Sequence, residues 1–158
     1  MRILGIDPGT AITGFGVIDC EGDRFKFVDA GVIRTHKDQP MNERLEIVYD
    51  EMKELLEEFK PDVMSIELLF FARNVTTAMT VGQSRGIVML AATQANVPVF
   101  EYTPMQVKQA VTGYGKADKK QIQEMVKNLL KLDAIPKPDD AADGLAIAIT
   151  HVGQSKLS

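Results

Sequence analysis

Four acidic residues come from three distant segments of the sequence, and at least three of them stand at positions where a lone charge would be costly. Asp7 ends the apolar segment RILGID, and Glu67 ends the apolar segment DVMSIE. Asp140 and Asp143 belong to DDAADGLAIAIT, and residues three apart on a helix lie on the same side of it. Because a buried carboxylate must be paired, protonated or bound to a metal, the four acids together predict an oxygen-rich site suited to a hard divalent cation.

Each acid also has a structural explanation, which the residues alone leave open. Asp139 is a candidate N-cap for the last helix, and Asp140 would be favoured at the positive end of that helix. The other structural alternatives are a cap of the turn at Pro8 and Gly9 by Asp7, and an ion pair of Glu67 with Arg73 or Arg85. A purely structural origin needs four separate coincidences, so we favour a shared functional site.

The elements that must position these acids alternate along the chain. The segments RILGID, TGFGVIDC and FKFVDAGVIRT predict strands, and EGDR predicts the turn between the second and the third. Apolar spacing predicts an amphipathic helix over 42–59, which Pro61 ends before the strand DVMSIE. The remaining predicted elements are helices over 74–95, 105–111 and 120–130, a strand at VPVFEY, and a last helix from about Asp139. If the strands that end in Asp7 and Glu67 pair, the two carboxylates become neighbours.

Composition indicates an ordinary globular protein. The chain has 158 residues, 45% of them hydrophobic and 25% charged, which suits one domain with a real core. It has no run of about 18 apolar residues and no signal peptide, so we expect a cytoplasmic protein without a membrane span. Cys20 is the single cysteine and supports neither an intrachain disulfide nor a zinc site. Met79 and Met105 fit helical spacing and are expected in the core.

Charge is distributed unevenly, although the net charge is only -4. Residues 37–62 carry nine acids and four bases, whereas residues 104–131 carry six bases and two acids. A basic segment of this kind is typical of a phosphate-binding face, but lysines on helices are also commonly a solvated surface. Charge alone therefore leaves nucleic-acid binding open.

The predicted order of elements is that of the α/β, ribonuclease-H-like fold, a five-stranded mixed sheet flanked by α-helices in which the first and fourth strands are adjacent. Five motifs occur in order along the chain: GIDPGT, SIE followed by FFARN, VGQSRG, FEYTPMQVKQAVTGYGKADKKQIQ and DDAADGLAIAITH. Together they resemble one family with this fold, the RuvC-type Holliday-junction resolvases. The resemblance runs from Arg2 to His151, so residues 1–158 are expected to form a single nuclease domain.

The resemblance implies a homodimeric, magnesium-dependent endonuclease that resolves four-way DNA junctions by paired symmetric nicks during recombination and repair. It assigns catalysis and metal binding to Asp7, Glu67, Asp140 and Asp143. Two Mg²⁺ ions roughly 3.5–4 Å apart would activate water and neutralise the leaving oxygen, and Mn²⁺ would substitute for them. The resemblance further implies cooperation with a branch-migration complex of the RuvA and RuvB type.

The same resemblance suggests the residues that contact DNA. Lys108 and Lys119 match phosphate-contacting lysines, and Lys116 and Lys120 extend the same patch. Phe70 is positioned to stack on bases near the junction centre, although Phe70 and its neighbour Phe71 could instead anchor their loop in the core. Leu68 stands where relatives are expected to have a polar glutamine.

The predicted helix over 74–95 carries a candidate dimer interface. Its apolar stripe includes Val75, Met79 and Leu90, and the small residues Gly82 and Gly86 could let two helices approach closely. The same glycines could equally serve helix packing within one subunit. A two-fold dimer would match the two-fold symmetry of a four-way junction.

Three other functions remain open from the sequence. GIDPGTAITGFGV also resembles the first phosphate loop of actin-like sugar kinases and Hsp70-type ATPases, which need two such lobes. The chain could also be a RuvC-like nuclease that processes structured RNA, or a junction-binding module without catalysis.

His151 lies two turns beyond Asp143 and could approach the metal site, but we expect a histidine with satisfied hydrogen bonds that is not a ligand.

Overall fold

The computed structural model describes residues 1–68 and 75–155. In chain order its strands and helices are β1 (Arg2–Asp7), β2 (Ile12–Glu21), β3 (Arg24–Arg34), α1 (Met41–Phe59), β4 (Val63–Glu67), α2 (Val75–Gln94), β5 (Val99–Tyr102), α3 (Pro104–Thr112), α4 (Lys119–Leu129) and α5 (Asp139–Ser155). The predicted elements are confirmed, with ends that differ by one or two residues.

The strands form one mixed sheet in the order β3-β2-β1-β4-β5. Strand β2 is antiparallel to β1 and β3, whereas β1, β4 and β5 are parallel. Helices cover both faces of the central strand, so Ile3, Leu4 and Ile6 are fully buried. The predicted adjacency of the first and fourth strands is confirmed, and it brings their carboxyl ends to the same edge of the sheet.

The sheet separates two hydrophobic layers. On one face, α1 buries Val48, Met52 and Leu56, which recur every four residues, against α2 and the sheet. Lys60 ends α1 in a left-handed conformation with φ of 45°, and Pro61 prevents its continuation. On the other face, α3, α4 and α5 share the second layer.

Helix α5 lies directly on the backbone of β2 because two glycines face it. A Cβ atom at Gly14 would lie 1.9 Å from the carbonyl oxygen of Asp140, and one at Gly16 would lie 2.5 Å from the amide nitrogen of Leu145. Any larger residue would push the helix away from the sheet. The first turns of α5, which carry two of the predicted site acids, are therefore fixed against the end of the sheet.

Two capping boxes set the orientation of α3 and α4. Thr103 and Gln106 exchange hydrogen bonds at the start of α3, and Asp118 and Gln121 do the same at the start of α4. Because Asp118 is the N-cap, α4 begins at Lys119, one residue earlier than predicted. Lys119 thus belongs to the first turn of the helix.

The structure also bears on the cysteine, on two methionines and on a membrane-spanning helix. Cys20 is free and buried. Met79 and Met105 are 62% and 65% exposed, so their assignment to the core is wrong: the helix faces that carry them are left open to solvent by the described part of the chain. None of the helices within residues 1–68 and 75–155 is long and apolar enough to cross a bilayer.

Candidate metal centre and nucleic-acid interface

The four predicted acids meet at one edge of the sheet. Asp7 is the last residue of β1 and Glu67 is the last residue of β4. The two acids lie side by side because the parallel register pairs Ile6 with Ile66, the residues that directly precede them. Single carboxylate oxygens of Asp7, Asp140 and Asp143 lie within 4.8 Å of one another. Glu67 lines a cleft of about 330 Å³ together with Asp7 and Asp143. The structure therefore brings the four acids into one site.

Burial and mutual repulsion disfavour the ionised forms of the clustered carboxylates when no cation is bound. Burial and then the charges of Glu67, Asp143 and Asp140 raise the pKa of Asp7 to about 8. Burial and the charge of Asp143 raise the pKa of Glu67 to about 7, although Lys108 opposes this shift. Burial also raises the pKa of Asp143, against the opposing charge of Lys119. Such clustered acids favour a bound proton or a bound cation over free carboxylates.

The donor set fits a hard divalent cation. The clustered groups offer carboxylate oxygens, which Mg²⁺ and Mn²⁺ prefer to nitrogen or sulfur ligands. The acids are half-buried, and Lys108 and Lys119 line the same cleft. These two lysines supply positive charge that favours a ligand with negative charge once the acids are neutralised.

The structure does not support two of the structural alternatives, an ion pair of Glu67 with Arg85 and an N-cap role for Asp139. Arg85 pairs with Glu101 rather than with the carboxylate of Glu67, and its Nε donates to the backbone carbonyl of Glu67 at 3.4 Å. Arg73 lies outside the described residues. Asp139 is the first residue of α5 and so is not its N-cap. Arg85 thus holds the backbone at the end of β4 by a hydrogen bond and does not neutralise the Glu67 carboxylate.

The predicted DNA-contacting lysines fall into two groups. Lys108 and Lys119 line the cleft with the acids, and the Nζ atom of Lys119 lies 3.6 Å from Oδ2 of Asp139 and 3.7 Å from Oδ2 of Asp143. Burial lowers the pKa of Lys119, but the charges of Asp143 and Asp139 outweigh it and the net shift is upward. Lys116 and Lys120 are exposed beside this cleft. Contact of any of these lysines with DNA stays a prediction.

Phe70 and His151 were the two ring-bearing candidates for the site, and the structure describes only His151. Phe70 lies outside the described residues, as does Phe71, so the stacking role of Phe70 stays a prediction. His151 is 4% exposed, and its Nδ1 lies 2.7 Å from the hydroxyl of Tyr102. This contact fits the expectation of a histidine with a satisfied hydrogen bond. Burial lowers the pKa of His151.

Sequence reasoning missed the contact between Lys119 and Asp139. The sequence indicates a capping role for Asp139 and a phosphate contact for Lys119, and no motif connects the two residues. Part of the signal was present, since an aspartate three residues before a glutamine marks a capping box and fixes the start of α4. The approach of α4 to α5 depends on tertiary packing, for which no local motif exists.

The exposed side of α2 carries three large apolar residues. Val75, Met79 and Leu90 are 76%, 62% and 47% exposed. Gly86 on the same helix is exposed, and a Cβ atom added there would meet nothing within 4 Å. Packing within the subunit therefore does not explain Gly86 in the described part of the chain, while Gly82 is partly buried.

Comparison with known proteins assigns the chain to a family. A family model described as crossover junction endodeoxyribonuclease RuvC matches residues 3–151. The crossover junction endodeoxyribonuclease RuvC of Brevibacillus brevis is 63% identical over 151 residues, which cover 96% of this chain and 91% of that protein. The solved structure of Thermus thermophilus RuvC in complex with Holliday junction substrate is 38% identical, with a TM-score of 0.95 over 99% of this chain and 96% of that chain. The yeast mitochondrial Holliday junction resolvase shares the fold, at 16% identity and a TM-score of 0.70 over 98% of this chain and 81% of that chain. The chain belongs to the RuvC family of crossover junction endodeoxyribonucleases and has its ribonuclease-H-like fold.

Proposed function

We propose that the chain is a single nuclease domain that resolves four-way DNA junctions by hydrolysing phosphodiester bonds at the acidic cleft. The observation that carries this proposal is the convergence of four acids: Asp7, Asp140 and Asp143 form one cluster, and Glu67 lies with Asp7 and Asp143 in a cleft that Lys108 and Lys119 also line. Family membership supports the same activity, and the Thermus thermophilus relative was solved with a Holliday junction substrate.

In this proposal Asp7, Asp140 and Asp143 hold Mg²⁺, and Glu67 completes the ligand set for two ions per active site. Mg²⁺, or Mn²⁺ in its place, supplies the Lewis-acid chemistry that activates water and neutralises the leaving oxygen. The carboxylates must give up their protons for this role, so Asp7 and Glu67 are deprotonated as the site loads.

The lysines of the chain perform the second task, the binding of the phosphate backbone. Lys108 and Lys119 lie on the rim of the cleft and offset part of the charge on a phosphate drawn toward the acids. Lys116 and Lys120 extend this positive rim along the segment between α3 and α4. Positive charge beside the acids lets an anionic backbone approach a site that would otherwise repel it.

The proposal extends to a homodimer. Paired nicks in one junction need two identical active sites, and a two-fold dimer supplies them most simply. The exposed apolar face of α2 supports an interface there, because contiguous exposed apolar surface is typical of protein–protein contacts. We further propose that the dimer acts in the cytoplasm on junctions held by a branch-migration complex of the RuvA and RuvB type.

A direct comparison of substrates tests the proposed function. Wild-type protein and Mg²⁺ are incubated with a four-way DNA junction, a linear DNA duplex of the same sequence and a structured RNA, and products are resolved on a denaturing gel. We expect paired nicks in the junction and little cutting of the other two substrates. Cleavage of RNA in preference to the junction would contradict the proposal, as would binding to the junction without cleavage.

A further inference from the structure

We propose that Lys119 exchanges partners during metal loading: in the metal-free protein its ammonium group is held by Asp139 and Asp143, and cation binding releases it to a DNA phosphate. Asp139 is then a positioning residue that keeps Lys119 at the cleft. This inference rests on the proposed metal site and on the proposed phosphate contact of Lys119, and it adds a coupling between the two.

The geometry gives Lys119 two nearly equivalent partners. Its Nζ atom lies 3.6 Å from Asp139 and 3.7 Å from Asp143, both through Oδ2. The Asp139 side chain is 59% exposed, whereas that of Asp143 is 27% exposed. One partner therefore faces solvent and the other faces the cleft, with the ammonium group between them.

The roles of the two aspartates separate along the first turns of α5. The oxygens that cluster with Asp7 belong to Asp140 and Asp143, which are half-buried. Asp139 precedes them and faces Lys119 at the rim. Asp143 is thus shared between the cluster and the lysine, while Asp139 is available to the lysine in either state.

Charge explains why the partners exchange. A divalent cation bound by the Asp143 carboxylate repels the nearby ammonium group of Lys119 and offsets the attraction between that carboxylate and the lysine. Lys119 then keeps only the exposed Asp139 as a partner, which a phosphate can replace. Because coupling between two ligands is reciprocal, DNA that captures Lys119 also strengthens cation binding.

The anchoring of α4 makes this exchange a local movement. Lys119 is the first residue of the helix, and the capping box of Asp118 and Gln121 holds its backbone in place. Its side chain is 57% exposed, so the ammonium group can turn toward solvent without any change in packing.

The first test measures the salt dependence of junction binding, with Ca²⁺ and with a chelator, and confirms on a denaturing gel that the junction stays intact. Ca²⁺ shares with Mg²⁺ the preference for oxygen ligands. Each lost phosphate contact lowers the slope of log K against log salt by roughly 0.9. We expect Lys119→Met to lower the slope by this amount with Ca²⁺ and to leave it unchanged in the chelator.

Lys120→Met is the matched control, because Lys120 is the next residue of α4 and makes no ion pair within the described part of the chain. It should lower the slope equally in both conditions. Equal slope changes for Lys119→Met with and without Ca²⁺ would overturn the exchange, and so would a change confined to the chelator. Failure of the wild-type protein to bind Ca²⁺ would overturn both the proposed metal site and the exchange, whereas normal Ca²⁺ binding with equal slope changes would overturn the exchange alone.

The second test follows Lys119 directly in the absence of DNA. A mild amine-acylating reagent is added, and labelling of Lys119 is measured by mass spectrometry. We expect labelling to rise severalfold on addition of Ca²⁺, and also in metal-free Asp139→Asn, but not in Asp133→Asn, which alters an exposed acid outside the site. Labelling that responds to neither Ca²⁺ nor Asp139→Asn would overturn the role of Asp139.

Discussion

Binding of a divalent cation to the acidic cleft should release protons, because two of its acids hold protons near neutral pH in the metal-free protein. Burial and the charges of neighbouring acids raise the pKa of Asp7 to about 8, and burial and the charge of Asp143 raise that of Glu67 to about 7. At pH 7 about nine-tenths of Asp7 and about half of Glu67 are then protonated, and metal ligands must be deprotonated.

The expected release from these two acids is therefore about 1.4 protons per active site at pH 7, falling to about 0.1 at pH 9. The raised pKa values determine the direction of the pH dependence of cation affinity. Protons compete with the cation for the carboxylates, so the affinity falls as the pH is lowered. Between pH 7 and pH 8 these two acids raise the cation affinity about tenfold. Asp7→Asn removes the larger share of the release and should leave about half a proton at pH 7.

Isothermal titration calorimetry measures this release directly. Mn²⁺ is titrated into the protein without DNA in several buffers of different ionisation enthalpy, and the dependence of the observed heat on that enthalpy gives the number of protons released. Tight Mn²⁺ binding at pH 7 with no proton release would refute the reasoning, since the acids would then be ionised before the cation arrives. An unchanged release in Asp7→Asn would refute the assignment of the proton to that residue.

Three further predictions concern the packing of α5 on β2, the phosphate contacts and the dimer. Gly14→Ala should destabilise the protein by about 1–3 kcal/mol or more in denaturant unfolding and weaken Mn²⁺ binding, because its Cβ would lie 1.9 Å from a backbone carbonyl of α5; Gly153→Ala, in ordinary contact on α5, is the control and should not weaken Mn²⁺ binding. Lys108→Glu should lower junction affinity and reduce the slope of log K against log salt by at least roughly 0.9, whereas Lys53→Glu on α1, which packs on the other face of the sheet, should leave the slope unchanged. Gly86→Leu should convert a dimer to a monomer in analytical ultracentrifugation while circular dichroism stays normal, since a Cβ atom added at Gly86 meets nothing within 4 Å among the described residues of the subunit; a persistent dimer would remove α2 from the interface.

The convergence of the acids could be predicted because it depends on features that local sequence records. Asp7 and Glu67 each end an apolar strand, and parallel pairing brings such ends to one edge of a sheet. Asp140 and Asp143 follow from helical spacing. The order of the elements then determined the sheet, and the structure confirms that order.

The remaining features depend on contacts between elements that are distant in sequence. Arg85 pairs with Glu101 because α2 packs beside β5, and its charge pattern alone did not distinguish that partner from Glu67. The approach of Lys119 to Asp139 needs both the cap of α4 and the packing of α4 against α5. The exposure of Met79 shows the same limit, since helical spacing describes a face but not what covers it.

The central claim is that the four converging acids hold the cation that drives junction cleavage, and one set of variants tests it most directly. Cleavage of a four-way junction in Mg²⁺ is compared with junction binding in a chelator for wild-type protein and for Asp7→Asn, Glu67→Gln, Asp140→Asn and Asp143→Asn. We predict that each variant loses cleavage and binds the junction as tightly as the wild-type protein or more tightly, because neutral residues repel phosphate less. Cleavage near the wild-type rate in any of the four would contradict the assignment of that acid to the metal site.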